Sequence, residues 1–347
     1  MEEHGAEDAL RGLALERHTV DAILEVLRTH GRENFVDLVS GGHTDMYFTE
    51  GELASAKADF AAAQEAGAPL DDVEWVSEDE IFQVRPDLGE RRHEADRFSL
   101  RLCQKYGARF PATRFAGHNL WPAKLVRVLY ELACETTPRI AVSAHTRTPV
   151  IAINAIAGSG WSVETSRGTI SCRNVVHTTN AYVSHLLPHL SGTDGVVPTR
   201  GHVIAFRASV PAEDIPKTSC CANYGFEYWF PRPVRAPQER PLIIAGGARE
   251  VAVPHFDIGV ADDSLIDSEI ALALCNFLPG VFPGKFDVVR TTNPEMIWVR
   301  KHCLLDIHPS LLTPAIVRLA LWGSPSREIR LYVLRIHANH LNHLPHD

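Results

Sequence analysis

The stretch from Gly168 to Ala181 constrains the fold of this chain more than any other. Ile170 alternates with polar neighbours, and a β-branched pair at 175–176 is followed by small polar residues. This pattern predicts a buried strand that runs into a tight loop, then a short helix stopped by Pro188. Such strand–loop–helix units present free backbone N–H groups to phosphates in α/β proteins. Taken alone, however, the pattern is more often an ordinary buried strand and turn.

Length, charge and cysteine usage narrow the class of protein. A chain of 347 residues is longer than one average domain, which favours one large or two interleaved domains. The net charge of −9 and the lack of a basic run argue against a nucleic-acid partner. The seven cysteines are irregularly spaced, so we expect reduced, mostly buried thiols rather than a disulfide framework.

The sequence shows neither a membrane-spanning segment nor a secretory signal. No apolar segment approaches the roughly 20 residues that cross a bilayer, and the acidic N-terminus does not resemble a secretory signal. We therefore expect a cytoplasmic protein without a membrane partner, with a peroxisomal location left open. The sequence does not predict the oligomeric state.

Local patterns predict most of the secondary structure. Apolar periodicity indicates helices at residues 8–30, 50–66, 123–135 and 263–277. Short strands are predicted at residues 35–39, 46–48, 140–142, 148–153, 161–165 and 287–291, and an antiparallel, loop-broken sheet from Val196 to Phe256. Ser77 and Glu80 fit a helix-capping box, and the charged segment 86–116 is expected to be a solvated face.

Three motifs follow the opening stretch in a recognisable order. They are Val196-Val-Pro-Thr-Arg-Gly-His-Val-Ile-Ala-Phe206, Tyr228-Trp-Phe-Pro-Arg-Pro233 and Leu242-Ile-Ile-Ala-Gly-Gly247. In this order they resemble the flavin-dependent D-amino-acid oxidase-like family, which includes sarcosine and glycine oxidases and many fungal relatives. The resemblance spans roughly Phe35 to Trp298 and rests on the order of the motifs.

The resemblance implies an α/β (α+β) fold, in which a partial FAD-binding Rossmann-like domain is interleaved with an antiparallel-sheet substrate domain. The expected divisions are a helix and the first part of the substrate domain in 1–112, the remaining FAD-binding domain in 113–195, the substrate-domain sheet in 196–260, a return to the FAD domain in 261–298 and an atypical tail in 299–347.

The resemblance also implies FAD as the cofactor. The residue matching Val150 contacts the adenine through its backbone in the family, although any residue type could make such a contact. Thr178, Thr179 and Asn180 match the end of the strand that approaches the dinucleotide. These four residues are therefore the expected cofactor contacts.

The implied substrate is a small-molecule amine or amino acid. Tyr228 matches the tyrosine that reaches the substrate carboxylate in the glycine-oxidase branch. Arg232 lies four residues further along the same predicted strand, whose period of two would place both side chains on one face. An equally good interpretation is that Tyr228, Trp229 and Phe230 form an aromatic core segment. No catalytic residue is assigned.

Both ends of the chain depart from the family pattern. Family members begin with a strand, a G-x-G-x-x-G turn and a helix that hold the pyrophosphate, and this motif is missing from the sequence, as is a glycine-rich segment after Trp298. We therefore expect a truncated or altered family member. His337, His340 and His343 recur every three residues, but no cysteine or carboxylate accompanies them, so no metal site is predicted.

Two functions remain open at this point. The first is oxidation of an amine or amino-acid C–N bond by hydride transfer to FAD, the chemistry being largely the cofactor's. The second is a non-catalytic remnant or partner-binding protein without flavin, which predicts an exposed apolar surface. Serine-hydrolase, zincin, P-loop and zinc-ribbon functions each lack their motif residues.

Overall fold

The computed structural model describes most of the chain up to residue 306. The described residues are 5–76, 110–136, 141–192, 195–215, 217–252, 256–262, 264–281, 286, 296–300 and 304–306. The predicted capping box at Ser77 and Glu80, the predicted strand at 287–291 and the histidines of the tail lie outside these residues.

Five α-helices occur in the described part of the chain. They are α1 (Gly5–Thr29), α2 (Glu50–Glu65), α3 (Pro122–Thr136), α4 (Val183–Leu186) and α5 (Ser268–Val281). Four of them match the helices predicted from periodicity, with α5 beginning a few residues later than expected. None of the described helices is long and apolar enough to cross a membrane.

In the same described residues, thirteen strands form three sheets. Their bounds are β1 (His43–Asp45), β2 (Glu74–Val76), β3 (Ala112–Phe115), β4 (Val150–Ala155), β5 (Trp161–Thr165), β6 (Gly168–Cys172), β7 (Val197–Thr199), β8 (His202–Arg207), β9 (Ser219–Ala222), β10 (Glu227–Pro231), β11 (Leu242–Gly246), β12 (Met296–Arg300) and β13 (Leu304–Asp306). The largest sheet has eight strands in the order β12-β8-β11-β10-β9-β1-β3-β2, and smaller sheets are β13-β7 and β4-β5-β6.

The eight-stranded sheet joins early and late parts of the sequence. Neighbouring strands run antiparallel except for β1 and β9, which run parallel with His43 opposite Ser219. The predicted sheet of residues 196–256 is therefore confirmed as a mainly antiparallel structure, extended at one edge by β1, β3 and β2.

The main hydrophobic core lies between this sheet and α5. Ile270, Leu274 and Leu278 repeat along one side of α5 and are fully buried. They pack with inward residues of β8, β9, β10 and β11, among which Trp229 meets Phe277 of α5 at a ring-centroid distance of 5.5 Å. Burial of such side chains stabilises the fold by roughly 1.5–3 kcal/mol each. One face of the sheet is thus covered by α5.

A second core joins α1 to α3. Leu27 of α1, Val36 of the following turn and Val128 of α3 are fully buried, with Leu125 and Leu132 beside them. Because both helices carry apolar residues three and four positions apart, each has one apolar side to bury. This cluster fixes the turn at 31–38 that follows α1.

Several predicted strands are wrong in the structure. Of the expected strand 35–39, residues 35–37 form a turn and only Val39 pairs, in an isolated bridge to Asn119. The expected strand at 46–48 lies three residues earlier as β1. Residues 141–142 do not join a sheet, while Ala112–Phe115, expected to be solvated, is strand β3, in which Ala112 and Thr113 are buried. In each case tertiary pairing, rather than local composition, decides which residues form strands.

The opening stretch also differs from its prediction. Gly168–Cys172 is a strand, but it is the exposed edge of the three-stranded sheet, and Val175 and Val176 lie in a loop with Val176 59% exposed. Among the described residues no strand pairs with 174–179, so the β-branched pair has no ladder to join. The helix that follows is present only as a 3-10 turn and the four-residue α4.

Candidate functional site

The register of the eight-stranded sheet gathers polar residues on the face turned away from α5. Tyr228 lies opposite Cys221 on β9 and opposite Gly246 on β11, and Cys221 lies opposite Asp45 on β1. Paired residues point to the same side of a sheet, and alternation places their neighbours, such as Trp229, in the core. We call this surface, which carries His43, Asp45, Cys221, Tyr228 and Gly246, the Tyr228 face.

Tyr228 is the central residue of the Tyr228 face. It is half-buried, and its ring lies against Gly246 across the sheet. A Cβ atom at position 246 would lie 2.6 Å from the Tyr228 ring carbon Cζ and 2.9 Å from the carbonyl oxygen of His202. The glycine therefore makes room for the phenol, whose hydroxyl can both donate and accept a hydrogen bond.

A compact polar cluster lies beside Tyr228. Asp45 is 5% exposed, and its Oδ1 atom lies 3.0 Å from Nε2 of His43 and 2.9 Å from Sγ of Cys221. The other ring nitrogen of His43, Nδ1, lies 2.7 Å from the Ser219 hydroxyl. A buried carboxylate, an imidazole and a thiol thus meet at one point on the parallel pair β1 and β9.

Arg232 lies at the end of β10 and faces a different partner. Its guanidinium donates to Oδ2 of Asp37 at 2.7 Å and lies 4.3 Å from the ring centroid of Trp121. Lys124 also donates to Asp37, at 3.1 Å. The structure therefore places Arg232 in an ion pair near the α1–α3 core, with about a third of its side chain exposed.

Arg200 of the Pro-Thr-Arg-Gly motif has a structural partner. It makes two hydrogen bonds to the carboxylate of Asp257, at 2.8 and 3.1 Å, and the side chains of Arg200 and Asp257 are only 11% and 8% exposed. The Asp257 carboxylate raises the pKa of Arg200. The neighbouring His202 accepts the backbone N–H of Asp267 through Nε2 at 2.9 Å, and burial lowers its pKa, which favours a neutral imidazole.

Glu227 and Glu250 form a buried carboxyl pair behind the Tyr228 face. Glu227 is 6% exposed, and burial, followed by its hydrogen bond to Glu250, raises its pKa to about 9. Asn223 donates to Glu250 at 3.2 Å. Two carboxyl groups this close favour sharing one proton, so Glu227 is protonated at neutral pH.

The residues expected to contact the cofactor fall into two places. Val150 begins β4 in the three-stranded sheet, while Thr178, Thr179 and Asn180 form the loop that enters the 3-10 turn, with Asn180 at φ 49°. The Thr179 hydroxyl is buried without a hydrogen-bond partner. Just beyond it a cavity of about 420 Å³ is lined by Ala181, Tyr182, Ser184, His185, Pro198 and Ala261.

The Thr179 hydroxyl and the cavity beside it could accommodate part of a flavin dinucleotide. The unsatisfied Thr179 hydroxyl is a group that a polar ligand atom could satisfy, and the cavity is of ligand size. The described residues contain no glycine-rich turn leading into a long helix, which is what holds a pyrophosphate in dinucleotide-binding folds. Within the described residues, the 178–185 segment thus offers a free hydroxyl beside a cavity but no pyrophosphate cradle.

The three-stranded sheet exposes an apolar face. Ile153, Trp161, Val163, Ile170 and Cys172 share one side by register, whereas the opposite side carries polar residues such as Asn154 and Glu164. Trp161 is 41% exposed and Ile170 49% exposed. An apolar surface of this kind is a common mark of an interaction site.

Several solved structures have a similar fold. Similar solved structures include glycine oxidase from Geobacillus kaustophilus, with 18% identity, a TM-score of 0.55 and coverage of 91% of this chain and 77% of that one. L-proline dehydrogenase from P. horikoshii has 12% identity, a TM-score of 0.54 and coverage of 86% and 76%. Iminodiacetate oxidase from Chelativorans sp. BNC1 has 14% identity, a TM-score of 0.51 and coverage of 82% and 66%.

The family follows from the sequence as well as from the fold. The chain belongs to the DAO family of FAD dependent oxidoreductases, whose model matches residues 3–300. No curated protein sequence matches it closely enough to narrow the assignment. The expected family, the mixed α/β fold and the cofactor FAD are thereby confirmed.

Sequence reasoning missed the cluster of His43, Asp45 and Cys221. One sequence signal could have indicated part of this cluster. His43 and Asp45 are two residues apart, so their side chains share a face if the segment before Met46 is extended. The adjacent residues Cys220 and Cys221 point to opposite sides of β9, with Cys220 in the core, so only Cys221 can join this cluster. The partner of each residue could not be read from the sequence, since 176 residues separate Asp45 from Cys221.

Proposed function

We propose that this protein is an FAD-dependent oxidoreductase that acts on the C–N bond of an amine or amino acid, with its substrate bound against the Tyr228 face. The observation that carries this proposal is the position of Tyr228, a half-buried phenol at the middle of an eight-stranded sheet, on the face that α5 leaves uncovered. When bound, FAD accepts the hydride from the carbon next to the substrate nitrogen.

The chemistry of the Tyr228 face supports a small polar substrate. The Tyr228 hydroxyl can donate to a substrate carboxylate, and the packing of its ring on Gly246 limits its movement. The structural relatives include enzymes named for glycine, L-proline and iminodiacetate. We therefore place the substrate among small amino or imino acids, with Tyr228 as the residue that orients the carboxylate.

The proposed roles of the other predicted residues are more limited. Thr178, Thr179 and Asn180 are proposed to contact FAD, with the Thr179 hydroxyl as the polar contact and Val150 as a backbone contact. Arg232 can assist a substrate carboxylate only by leaving Asp37, because their ion pair occupies its guanidinium. We expect its contribution to substrate binding to be smaller than that of Tyr228.

The test is flavin retention followed by substrate reduction. The full chain is incubated with excess FAD, freed of unbound flavin and examined by visible absorption, then mixed anaerobically with glycine, sarcosine and L-proline. A retained flavin band that one of these bleaches supports the proposal. The Tyr228→Phe variant should keep the flavin band and raise KM more than it lowers kcat, while Tyr224→Phe, an exposed tyrosine, serves as the control.

A second candidate function is favoured by the exposed apolar face of the three-stranded sheet. A flavin-free protein that binds a partner through this face would expose Trp161 and Ile170 as the structure shows. This candidate predicts a folded protein that retains no flavin band in the same experiment. That outcome would reject the oxidoreductase proposal for this chain.

A further inference from the structure

We propose that His43, Asp45 and Cys221 form a binding site for a divalent transition metal of the zinc class. The three side chains come from adjacent strands β1 and β9, and their potential ligand atoms all lie within 4.8 Å of one another. Asp45 Oδ1 is central, 3.0 Å from His43 Nε2 and 2.9 Å from Cys221 Sγ. The site has no counterpart in the flavin chemistry proposed above and does not depend on it.

The three side-chain types in this cluster favour zinc over calcium or magnesium. Zinc is bound in proteins by cysteine sulfur, histidine nitrogen and carboxylate oxygen at about 2.0–2.3 Å, whereas calcium and magnesium prefer oxygen ligands alone. Ligand atoms of a tetrahedral site with these bond lengths lie about 3.3–3.8 Å apart. The two pairs that contain Asp45 are 3.0 and 2.9 Å apart, so they would have to open by about 0.3 Å and about 0.6 Å to reach this geometry.

Ser219 holds His43 in the orientation that a metal site needs. Its hydroxyl donates to the carbonyl oxygen of Gly42 at 3.3 Å and can therefore accept the Nδ1–H of His43, 2.7 Å away. This leaves Nε2 as the nitrogen directed at Asp45. Metal-binding histidines are oriented in the same way, by a hydrogen bond from the ring nitrogen that does not bind metal.

Without a metal, the thiol of Cys221 donates to Asp45 Oδ1 at 2.9 Å, and His43 Nε2 lies 3.0 Å from the same oxygen. A divalent metal would bind the Asp45 carboxylate, the Nε2 lone pair of a neutral His43 and the thiolate that forms when Cys221 releases its proton. The carboxylate and the thiolate together carry a charge of −2, which balances the charge of the ion.

The position of the site indicates what the metal would do. Asp45 is buried, but His43 and Cys221 are partly exposed, so a fourth ligand such as water could reach the ion from solvent. The metal would tie β1 to β9, two strands that are joined in parallel and lie far apart in the sequence. We infer a metal that stabilises the pairing of these strands and adds a cation next to Tyr228.

Zinc binding by the full-length protein tests this proposal. The protein is stripped with a chelator and titrated with Zn²⁺ in competition with a chromophoric chelator, and Co²⁺ is used to detect a sulfur-to-cobalt charge-transfer band. We expect one tight site and such a band. Cys221→Ser should abolish the band, and Cys221→Ser and His43→Gln should each weaken zinc binding at least about 100-fold.

Matched controls separate this cluster from other cysteines and histidines. Cys172→Ser changes a free, half-buried cysteine on β6, and His118→Gln changes a histidine whose Nδ1 also lies near a serine hydroxyl, at 2.9 Å from Ser40 Oγ. Both variants should bind zinc as the parent does. Ser219→Ala should weaken binding about 10- to 100-fold while keeping the cobalt band, because it removes only the orienting group.

The histidines of the tail provide the decisive comparison. A variant with His337, His340 and His343 all changed to Gln should keep the tight site and the cobalt band. Loss of tight binding in that variant, or parent-like binding in both Cys221→Ser and His43→Gln, would overturn the proposal. Thermal unfolding in chelator shows whether each variant is folded, and only proteins with the intact cluster should gain Tm when zinc is added.

Discussion

The ring of Tyr228 lies over Gly246, its register partner on the neighbouring strand, in the space that a side chain at position 246 would fill. The glycine is therefore selected by the phenol rather than by its own backbone, since its φ angle is not in the left-handed region. This relationship couples a residue of the Leu242–Gly247 motif to the residue proposed to orient the substrate.

Replacing Gly246 with Ala is expected to displace the Tyr228 ring. The new methyl group would also meet the carbonyl oxygen of His202, 2.9 Å away, so the sheet cannot absorb it without movement. We expect a loss of about 1–3 kcal/mol in the free energy of unfolding and, if the oxidoreductase proposal holds, a raised KM. Urea unfolding and steady-state kinetics measure both. Gly51→Ala, at a position that also lacks a left-handed φ, serves as the control, because the new Cβ would meet only two side-chain ends, the Tyr224 hydroxyl at 3.1 Å and Thr49 Oγ1 at 3.8 Å. Unchanged stability and KM in Gly246→Ala would contradict the packing argument.

Removing the ion pair of Arg200 and Asp257 should lower the free energy of unfolding far more than removing an exposed ion pair. Asp257→Ala leaves the Arg200 guanidinium buried without its partner, and we expect a loss of about 3–5 kcal/mol in unfolding free energy. Asp72→Ala breaks the Arg17–Asp72 pair, in which about 40% of each side chain is exposed, and should cost about 0–1 kcal/mol. Chemical denaturation of the two variants makes the comparison, and equal losses would refute it.

The sequence correctly predicts the helices, whose formation depends on local patterns. The apolar periodicity of α1, α2 and α3 sets helix bounds to within a few residues, because a helix needs only its own neighbours to form hydrogen bonds. Strands need a partner, and both partners of β1 are distant in the sequence, since His43 lies opposite Phe115 of β3 and Ser219 of β9. Residues 43–45 therefore form the strand, rather than the more apolar 46–48.

The site residues also divide into those that the local sequence predicts and those whose partners depend on the tertiary fold. The motif order led to the family, and the predicted strand that carries Tyr228 is present as β10. The motif order did not reveal that Asp37, 195 residues earlier, pairs with Arg232, since turn residues of one segment and strand ends of another meet only through the tertiary fold. The helix cap of α2 was likewise overlooked, although Thr49 and Glu52 show the same spacing as the capping box predicted further along.

The apolar face of the three-stranded sheet gives a prediction that distinguishes a free surface from a covered one. Because Trp161 and Ile170 are 41% and 49% exposed, changing both to Thr should alter the free energy of unfolding by no more than about 0.5–1 kcal/mol. The same change should reduce binding of a hydrophobic dye and any self-association, measured by fluorescence and sedimentation. A loss of several kcal/mol would show that this face is covered in the folded protein.

The buried carboxyl pair should make stability fall as the pH rises. Burial and the neighbouring Glu250 raise the pKa of Glu227 from 4.5 to about 9, so the folded protein binds a proton that the unfolded chain releases between these values. The stabilisation from this proton is complete below pH 4.5 and is lost as the pH rises toward about 9. One proton accounts for a slope of at most about 1.4 kcal/mol per pH unit.

The Glu227→Gln variant isolates this effect, because glutamine keeps the shape of the protonated acid and does not titrate. We expect its urea midpoint to vary less with pH than that of the parent between pH 5 and 9, and to exceed the parent's at the alkaline end of this range. Glu213→Gln, at an exposed position in a 3-10 turn, should keep the parent's pH dependence. If Glu227→Gln and the parent lose stability in parallel as the pH rises, another group carries the proton. The pair would then have to be ionised in the folded protein, against the cost of burying two carboxylates side by side.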